Sequence, residues 1–441
     1  MDCDTIAAIA TAPGPAGVSI VRISGPDAHS IGERVSRTMP DAGKLTAHYA
    51  FFRHPETDDV VDDGIILFFR APNSYTGEDV VELQGHGGRL PSSRLLEIAI
   101  LAGARPAEPG EFTRRAFLNG RIDLARAEAV MDFIGASSDR AASSAREQLD
   151  GRLSKGIDSI FDAIVSVEAD VEHLLDFDEN EIPLDFEEKA VERCRDILSL
   201  IDKMLAGWRT GAFLREGALV VICGLPNAGK SSLLNALLGR NRAIVSPVAG
   251  TTRDSIEESL IIRGIPVRLV DTAGLRDTKD GIEAEGVSRA EELVSRADLV
   301  VEVVDASLGD MSGFKTAKDR ITVFNKVDLL KDDFKNALDG ICISAKNGDG
   351  LDIVLDEIAN RLDDGADDGG QEGVSARHRS CLLEAKEAAE NAVVALATGG
   401  EGLVVAANYL ALAAQAVGRV TGRIWSEELL DVVFGKFCVG K

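Results

Sequence analysis

Residues Gly224 to Ser231 read GLPNAGKS, a glycine-rich stretch that ends in lysine and serine. An apolar β-type run, Ala218–Cys223, leads directly into it, and a helix-forming run over residues 232–238 follows. This is the GxxxxGKS pattern of a phosphate-binding loop in the strand–loop–helix setting that it requires. Its backbone N–H groups and the helix N-terminus attract phosphate. The stretch predicts an α/β nucleotide-binding domain in which Lys230 reaches the β- and γ-phosphates and Ser231 binds Mg²⁺.

Three further motifs follow in chain order, each at the end of a β-type run. Asp271-Thr272-Ala273-Gly274 offers a carboxylate that can hold the metal through water and a glycine N–H for the γ-phosphate. Asn325-Lys326-Val327-Asp328 ends in a carboxylate that can accept two hydrogen bonds from guanine N1 and N2, a donor pair that adenine lacks. Ser344-Ala345-Lys346 can support the base from the other side. Because a doubly wound sheet binds ligands at the carboxyl ends of its strands, the set predicts a GTP site.

The segment between the first two motifs predicts a switch loop. Residues 246–254 read SPVAGTTRD, and either Thr251 or Thr252 can cap Mg²⁺ when a γ-phosphate is present. The predicted GTP-binding residues are therefore Asn227, Ala228, Gly229, Lys230, Ser231, Ser232, Ser246, Pro247, Val248, Ala249, Gly250, Thr251, Thr252, Asp271, Thr272, Ala273, Gly274, Asn325, Lys326, Val327, Asp328, Ser344, Ala345 and Lys346.

Position 275 raises the question of how water is activated. Many GTPases place a water-orienting glutamine directly after the glycine of the second motif, but here the residue is Leu275. A leucine cannot orient water, so hydrolysis either waits for a partner or uses another group. Glu283 is the acidic residue that we favour as the substitute, and a solvated surface carboxylate is the competing interpretation.

The rest of the chain predicts two other kinds of domain. At roughly 150 residues per domain, 441 residues suggest about three. Residues 1–118 predict an N-terminal α+β domain, with a helix at Ser92–Ala102 and four β-type runs at Thr5–Ala10, Val18–Ile23, Gly64–Phe69 and Val80–Leu83. Residues 119–213 carry apolar residues at alternating steps of four and three, which is typical of long amphipathic helices, and residues 374–441 return to Ala-rich helical patterns. We expect these two stretches to form one discontinuous all-α helical domain, with the α/β P-loop GTPase domain and its linker, residues 214–373, inserted between them.

Composition excludes several classes of function. The net charge of −25 argues against a single broad basic face for nucleic acid. The six cysteines form no CxxC pair and the histidines form no sequence cluster, so neither a zinc site nor a disulfide framework is predicted. No uninterrupted apolar run approaches roughly eighteen residues, and the acidic start lacks the layout of a signal peptide. We expect a cytoplasmic protein without a membrane span.

Longer motifs outside the nucleotide site carry a family resemblance. Residues 14–25 read GPAGVSIVRISG, residues 74–88 SYTGEDVVELQGHGG and residues 108–128 EPGEFTRRAFLNGRIDLARAE, and the chain ends in Cys438-Val439-Gly440-Lys441. Together with GLPNAGKSSLLN, AGTTRD and DTAGL, they resemble the tRNA modification GTPase family called MnmE, or TrmE. The resemblance spans the whole chain.

The resemblance implies an assembly and a reaction. It implies a homodimer held by the N-terminal domains, each binding 5-formyltetrahydrofolate or a related one-carbon folate. It also implies an FAD-containing partner, MnmG, in a heterotetramer that adds an aminomethyl-type group to carbon 5 of the wobble uridine of certain tRNAs. The two GTPase domains would meet across the dimer during turnover, with K⁺ supplying the charge that an arginine supplies elsewhere.

The resemblance also assigns ligands and catalytic groups in the GTPase domain. It places Mg²⁺ on Ser231 and Thr252, and the water-orienting glutamate on Glu283, so that Leu275 is expected in this family. Lys230 is the catalytic lysine of the phosphate loop. The K⁺ ligands would be Asn227, Ser246, the Val248 carbonyl and Thr251.

In the N-terminal domain, the folate positions of the family fall on Arg22, Glu82, Arg121 and Lys441. An acid suits the N–H edge of a pteridine, and cations suit the glutamate tail of a folate. Arg121 stands where the family usually has lysine, which keeps the charge but changes the geometry. Cys438 is implied to be chemically active, and a dispensable terminal thiol is the competing view.

Two other functions compete with this one. A ribosome-assembly GTPase of the Era or Der type would share the GTPase motifs but carry a KH-like RNA module with GxxG and basic residues, and residues 374–441 show no such module. A folate-binding scaffold with a passive GTPase switch would bind GTP without K⁺-dependent turnover.

Overall fold

The computed structural model describes residues 4–40, 46–175, 185–241, 257–272, 291–308, 319–330, 338, 340–363, 373–398 and 402–441. The contacts divide the chain into two compact units. One contains Met1–Met131 and Thr421–Lys441, and the other contains Asp132–Val420. Residues 421–441 thus group with the N-terminal part, whereas the sequence pattern assigned them to the helical domain; the domain boundaries drawn from the sequence remain predictions.

The first unit is built on a six-stranded sheet with the order β3-β4-β5-β2-β1-β6. Its pairs are antiparallel except β1 with β6, which run parallel. The strands are β1 Ile6–Ile9, β2 Val18–Ser24, β3 His48–Arg53, β4 Val60–Phe69, β5 Val80–His86 and β6 Arg105–Pro106. The four β-type runs predicted in this part of the sequence are confirmed as β1, β2, β4 and β5, and the prediction missed β3.

Two helices cover one face of this sheet and close its core. They are α1, Ala28–Ser36, and α2, Arg89–Leu101, of which the sequence predicted only the second. In α1, Ala28, Ile31 and Val35 are buried at helical spacing against strand residues, but the helix is only nine residues long, and the prediction missed it. The face opposite the helices carries the charged side chains of Arg22 and Glu82 described below.

The C-terminal tail completes this unit. Helices α3, Glu111–Leu118, and α13, Glu427–Phe434, share an apolar cluster in which the Phe434 and Phe437 rings lie 5.5 Å apart. Beyond this cluster, Val439 forms an isolated antiparallel β-bridge with Pro109. Gly440 then lies against β1 and has a left-handed φ of 99°. A Cβ at Gly440 would stand 2.3 Å from the Ile9 carbonyl oxygen, so only glycine lets the final turn reach the sheet.

Long helices form one part of the second unit. The predicted stripe in α6 is confirmed, since Leu153, Ile157, Ile160, Ile164, Val167, Val171 and Leu174 are all buried. Helix α7 packs against both α6 and α11, so helices from before and after the α/β segment contact one another. The helices are α4 Leu124–Gly135, which spans the unit boundary, α5 Asp139–Leu149, α6 Arg152–Leu175, α7 Phe186–Ala206, α8 Trp208–Glu216, α11 Ala376–Leu396 and α12 Gly402–Thr421.

Helix α12 is long and apolar enough to cross a membrane by length and composition, although 56% of its most apolar window is buried inside the protein. It is the one such helix among the described residues. The expectation of no membrane span rests on the lack of a long uninterrupted apolar run, and Asn408, Gln415 and Arg419 interrupt the run in this helix. Its buried face includes Leu403, Leu410 and Val417.

The α/β part of the second unit is a second six-stranded sheet, with the order β12-β11-β10-β7-β9-β8. All pairs are parallel except β8 with β9. Strand β7 is central, buried along its whole length, and pairs with β9 and β10. The elements are β7 Ala218–Cys223, α9 Lys230–Asn241, β8 Glu257–Ile262, β9 Ile265–Asp271, β10 Leu299–Asp305, β11 Arg320–Asn325, β12 Ile341–Cys342 and α10 Leu351–Leu362.

Candidate nucleotide and folate sites

The phosphate loop lies between β7 and α9, as the sequence predicts. Lys230 is nearly buried, and its Nζ donates to the Gly224 and Leu225 carbonyls at 3.1 and 3.0 Å. The ammonium therefore lies inside the curve of the loop, where it can meet the oxygens of a bound phosphate. Gly229 has a φ of 95°, and a Cβ there would stand 2.1 Å from Asn325 Nδ2, so this position requires glycine.

Two oxygen groups suited to Mg²⁺ lie beside the loop. The Ser231 hydroxyl donates to Asp271 Oδ2 at 2.6 Å, and Asp271 is 6% exposed at the end of β9. Thr272 is fixed next to it, because its backbone N–H and hydroxyl both donate to the Ile222 carbonyl. A hydroxyl and a carboxylate are ligands that Mg²⁺ prefers, so Ser231 and Asp271 fit the roles predicted for them.

Asn325 links the phosphate loop to the loop after β12. Its Nδ2 donates to the Ala228 carbonyl at 2.9 Å, and its Oδ1 accepts from the Ala345 N–H at 3.0 Å. Asn325 is buried, so both bonds are shielded from water. The side chain thus holds together two loops that the sequence separates by more than a hundred residues.

The carboxylate predicted to read guanine is also held in place. The Ser344 hydroxyl donates to Asp328 Oδ1 at 2.7 Å, and the Val327 N–H donates to the Ile343 carbonyl. Ser344 is fully buried. Asp328 therefore stays at the carboxyl edge of the sheet with an oxygen oriented by a neighbour, as recognition of a two-donor base edge requires.

The sequence motifs did not identify one acidic residue at the carboxyl edge of this sheet. Asp305 ends β10 and pairs with Lys326, with 2.6 Å between Oδ2 and Nζ. The signal was present, because the run Leu299–Asp305 is apolar apart from Glu302 and ends in an aspartate, like the other motif-bearing strands.

The N-terminal unit brings together three of the four predicted folate residues. Arg22 Nε donates to Glu82 Oε1 at 3.0 Å, and the guanidinium lies 5.8 Å from the ring centroids of both Tyr75 and Phe112. Lys441 is close enough that burial and the Arg22 charge lower its pKa, while Glu82 offsets part of that effect. A partly buried acid, two cations and two aromatic rings fit a heterocycle with an anionic tail.

Arg121, the fourth predicted residue, lies beside the turn at Gly77. A Cβ on that glycine would stand 3.2 Å from Arg121 Cγ, and the Arg121 N–H donates to the Ala116 carbonyl. The described contacts thus place Arg121 by this turn and give no direct contact with Arg22, Glu82 or Lys441. Its contribution to a folate site remains a prediction.

Comparisons with known proteins cover the whole chain. The family model described as the MnmE helical domain matches residues 124–438, and the one described as the GTP-binding protein TrmE N-terminus matches residues 5–121. The tRNA modification GTPase MnmE of Symbiobacterium thermophilum is 44% identical, with 99% of each chain aligned. The chain belongs to the MnmE family. Relatives of the same name from Bordetella parapertussis and Geobacter sulfurreducens are 44% and 43% identical, again with 99% of each chain aligned.

Membership of the MnmE family decides between the GTPase types considered above. The relatives match over nearly their full lengths, which excludes an Era- or Der-type protein with a KH-like module. Among solved structures, the FeoB G domain of Methanococcus jannaschii covers 33% of this chain and 97% of its own, at 23% identity and a TM-score of 0.25, which is too distant to inform the fold.

Several MnmE-type site residues lie outside the described residues. They include both threonines predicted as metal caps, the predicted switch loop and the glutamate predicted to orient water. The residues are Ser246, Pro247, Val248, Ala249, Gly250, Thr251, Thr252, Ala273, Gly274 and Glu283. Their assigned roles remain predictions.

The cysteines divide into inert and accessible thiols. Burial raises the pKa of Cys194 to about 11 and that of Cys223 to about 12, which keeps both thiols protonated and unreactive at neutral pH. Cys438 is exposed in the MnmE-type C-terminal motif, and its carbonyl accepts from the Gly110 and Lys441 N–H groups. Accessibility is compatible with either view of Cys438, so its role stays open.

A charged network in the N-terminal unit was not predicted from the sequence. Arg115 donates to Asp4, Glu78 and Glu111, and Arg105 pairs with Asp4 and Glu111. Burial raises the pKa of Glu111, but hydrogen bonds from Arg105, the Glu108 N–H and Arg115 outweigh this and lower it overall. A cleft of about 920 Å³ adjoins the network. Each acid of the network pairs with Arg105, with Arg115 or with both. Because Arg105 lies in β6 and pairs with Glu111 of α3, the network ties α3 to the sheet.

One group of potential metal ligands occurs among the described residues. Ligand atoms of Asp62, Asp63 and His86 all lie within 4.8 Å of one another, which the scattered histidines of the sequence did not predict. The buried Asp62 carboxylate accepts from the His86 backbone N–H at 2.9 Å and from its ring Nδ1 at 2.6 Å. The hydrogen bond to Asp62 raises the pKa of His86. These bonds account for the cluster without a metal.

Proposed function

We propose that this protein binds GTP with Mg²⁺, hydrolyses it, and uses the turnover in the modification of tRNA. The observation that carries the proposal is the convergence at Asn325, which joins the phosphate loop to the base-binding loops while Ser344 orients Asp328. Family membership supports the same activity, because the relatives are named tRNA modification GTPases. Lys230, Ser231 and Asp271 supply the phosphate and Mg²⁺ contacts.

The proposed hydrolysis uses a monovalent cation. K⁺ would supply positive charge beside the phosphates where no arginine is assigned. Of its proposed ligands, Asn227 is described; it has a left-handed φ of 63° at the tip of the loop between β7 and α9. The other proposed ligands are Ser246, the Val248 carbonyl and Thr251. Glu283 would orient the attacking water in place of the glutamine that Leu275 replaces.

The proposed biological setting is a cytoplasmic complex that modifies carbon 5 of the wobble uridine of certain tRNAs. A homodimer would bind a one-carbon folate at Arg22, Glu82 and Lys441, and an FAD-containing MnmG-like partner would complete the heterotetramer. The net charge of −25 fits a division of labour in which the partner carries much of the tRNA-binding surface. Closure of the GTPase domains would gate the partner's chemistry.

Nucleoside analysis of tRNA tests the modification claim. We expect tRNA from cells that lack this chain to contain unmodified wobble uridines, and we expect the intact gene to restore the modification. A Lys230→Ala gene should not restore it, because the variant lacks the charge that holds the β- and γ-phosphates. Unchanged wobble uridines in the deletion strain would remove the modification claim and leave the GTPase claim intact.

A further inference from the structure

Asp305 lies at the carboxyl edge of the GTPase sheet, where guanine is proposed to bind, but it belongs to none of the assigned motifs. It is the last residue of β10, and Asn325, the last residue of β11, is its partner in the register of the two strands. Its Oδ2 accepts from Lys326 Nζ at 2.6 Å. The Asp305 side chain is 9% exposed and the Lys326 side chain 33%, so the pair is partly shielded from water.

The carboxylate of Asp305 is itself held rigidly. The Ser307 N–H and hydroxyl both donate to its Oδ1, at 3.0 and 2.6 Å, and the Ala306 N–H donates to the Asn325 carbonyl. Burial raises the pKa of Asp305, but hydrogen bonds from Lys326 and Ser307 outweigh this and lower it. The group is therefore a fixed anion at neutral pH.

Lys326 needs such an anchor. It stands between Asn325 and Asp328 with a left-handed φ of 68°, and its side chain reaches back to the end of β10, where Asp305 holds the ammonium. A lysine side chain released from its partner samples many rotamers, and a carboxylate at the same edge of the sheet attracts its ammonium. Asp328, two residues along the chain, carries such a carboxylate, and its oxygens are needed to accept the guanine N1 and N2 hydrogens.

We propose that Asp305 is a positioning residue for guanine recognition, which holds the Lys326 ammonium away from Asp328 so that this carboxylate remains open to the base. The inference rests on the proposed GTP site and extends it by one residue that the motifs do not contain. Asp305 acts through Lys326 and contacts no part of the nucleotide itself.

A double-mutant cycle on GDP affinity tests the proposal. We expect Asp305→Asn to weaken GDP binding by about tenfold. The variant lacks the charge-assisted hydrogen bond to Lys326, so the lysine ammonium is released. In a Lys326→Met background the same substitution should cost nothing further, since no ammonium is left to release. Asp305→Glu keeps the charge and should retain most of the affinity. Asp319→Asn, an isosteric change at a half-exposed acid before β11 that pairs with Arg209, is the matched control and should leave GDP affinity unchanged.

Each outcome decides a different claim. Equal losses from Asp305→Asn in the wild-type and Lys326→Met backgrounds, or no loss at all, would overturn the positioning role. Failure of the wild-type chain to bind GDP would instead overturn the proposed function. Thermal unfolding of each nucleotide-free variant checks folding. Should Asp305→Asn not fold, Ser307→Ala is the alternative variant, because it removes a hydrogen bond to the same carboxylate and keeps the charge. We expect it to weaken GDP binding by about threefold, and only when Lys326 is present.

Discussion

We expect Asp328→Asn to weaken GDP binding by about a thousandfold and to create affinity for xanthine nucleotides. The Asp328 carboxylate has two acceptor oxygens, and Ser344 orients one of them. An asparagine offers one acceptor and one NH₂ donor, so one guanine N–H would face a donor and remain unpaired. Xanthine has a carbonyl where guanine has its amino group, so it can accept from the new amide.

Calorimetric titration of wild-type and variant chains with GDP and with xanthosine diphosphate measures this exchange. Asp349→Asn, in the turn after the same loop, is a suitable control, because its backbone carbonyl makes the bond to the Ser344 N–H and its side chain is not needed for that bond. Unaltered GDP affinity in Asp328→Asn would show that the base binds elsewhere.

We expect Glu283→Ala to lower kcat for GTP by about a thousandfold while GDP affinity stays within a factor of about two, because orientation of water contributes to the transition state and little to ground-state binding. The position matters because Leu275 stands where many GTPases carry a glutamine. Single-turnover hydrolysis measured beside nucleotide binding separates the two effects.

The matched control for Glu283 is Glu291→Ala, an exposed acid at the start of the next described helical segment, which should change neither quantity. Full activity in Glu283→Ala would refute this role, and the group that orients the water would then have to be sought elsewhere. A parallel loss of GDP affinity would point to a binding role instead.

Much of the nucleotide site could be predicted from the sequence because its parts are local. Each motif follows a buried strand, and parallel strands end at one edge, so Lys230, Asp271 and Asp328 had to converge once the strands were identified. The stripe in α6 was equally predictable, since its seven buried residues repeat at helical spacing.

What the sequence could not predict depends on contacts between distant segments. The Asp305–Lys326 pair joins two strands, and Arg115 meets Asp4 across more than a hundred residues. Helix α1 was missed although its buried Ala28, Ile31 and Val35 recur at helical spacing, because its nine residues show that spacing over little more than two turns. The propensities of single residues do not identify the partners in these ion pairs, because tertiary packing selects them.

Contacts between distant segments also decide where the C-terminal segment packs. Its helical pattern favoured the helical domain, but residues 421–441 group by contact with the N-terminal unit. The cause is the aromatic cluster of Phe117, Phe434 and Phe437, together with the close approach of Gly440 to Ile9. This packing brings Lys441 to Arg22 and Glu82, which is how the last residue of the chain reaches the proposed folate site.

The rate of GTP turnover by the purified chain in K⁺ and in Na⁺, at equal ionic strength and with Mg²⁺, tests the central claim most directly. We predict phosphate release on the order of tenfold or more faster in K⁺, because K⁺ takes the place of an arginine beside the phosphates. No turnover in either salt would contradict the GTPase itself. Equal rates in the two salts would contradict the role of K⁺.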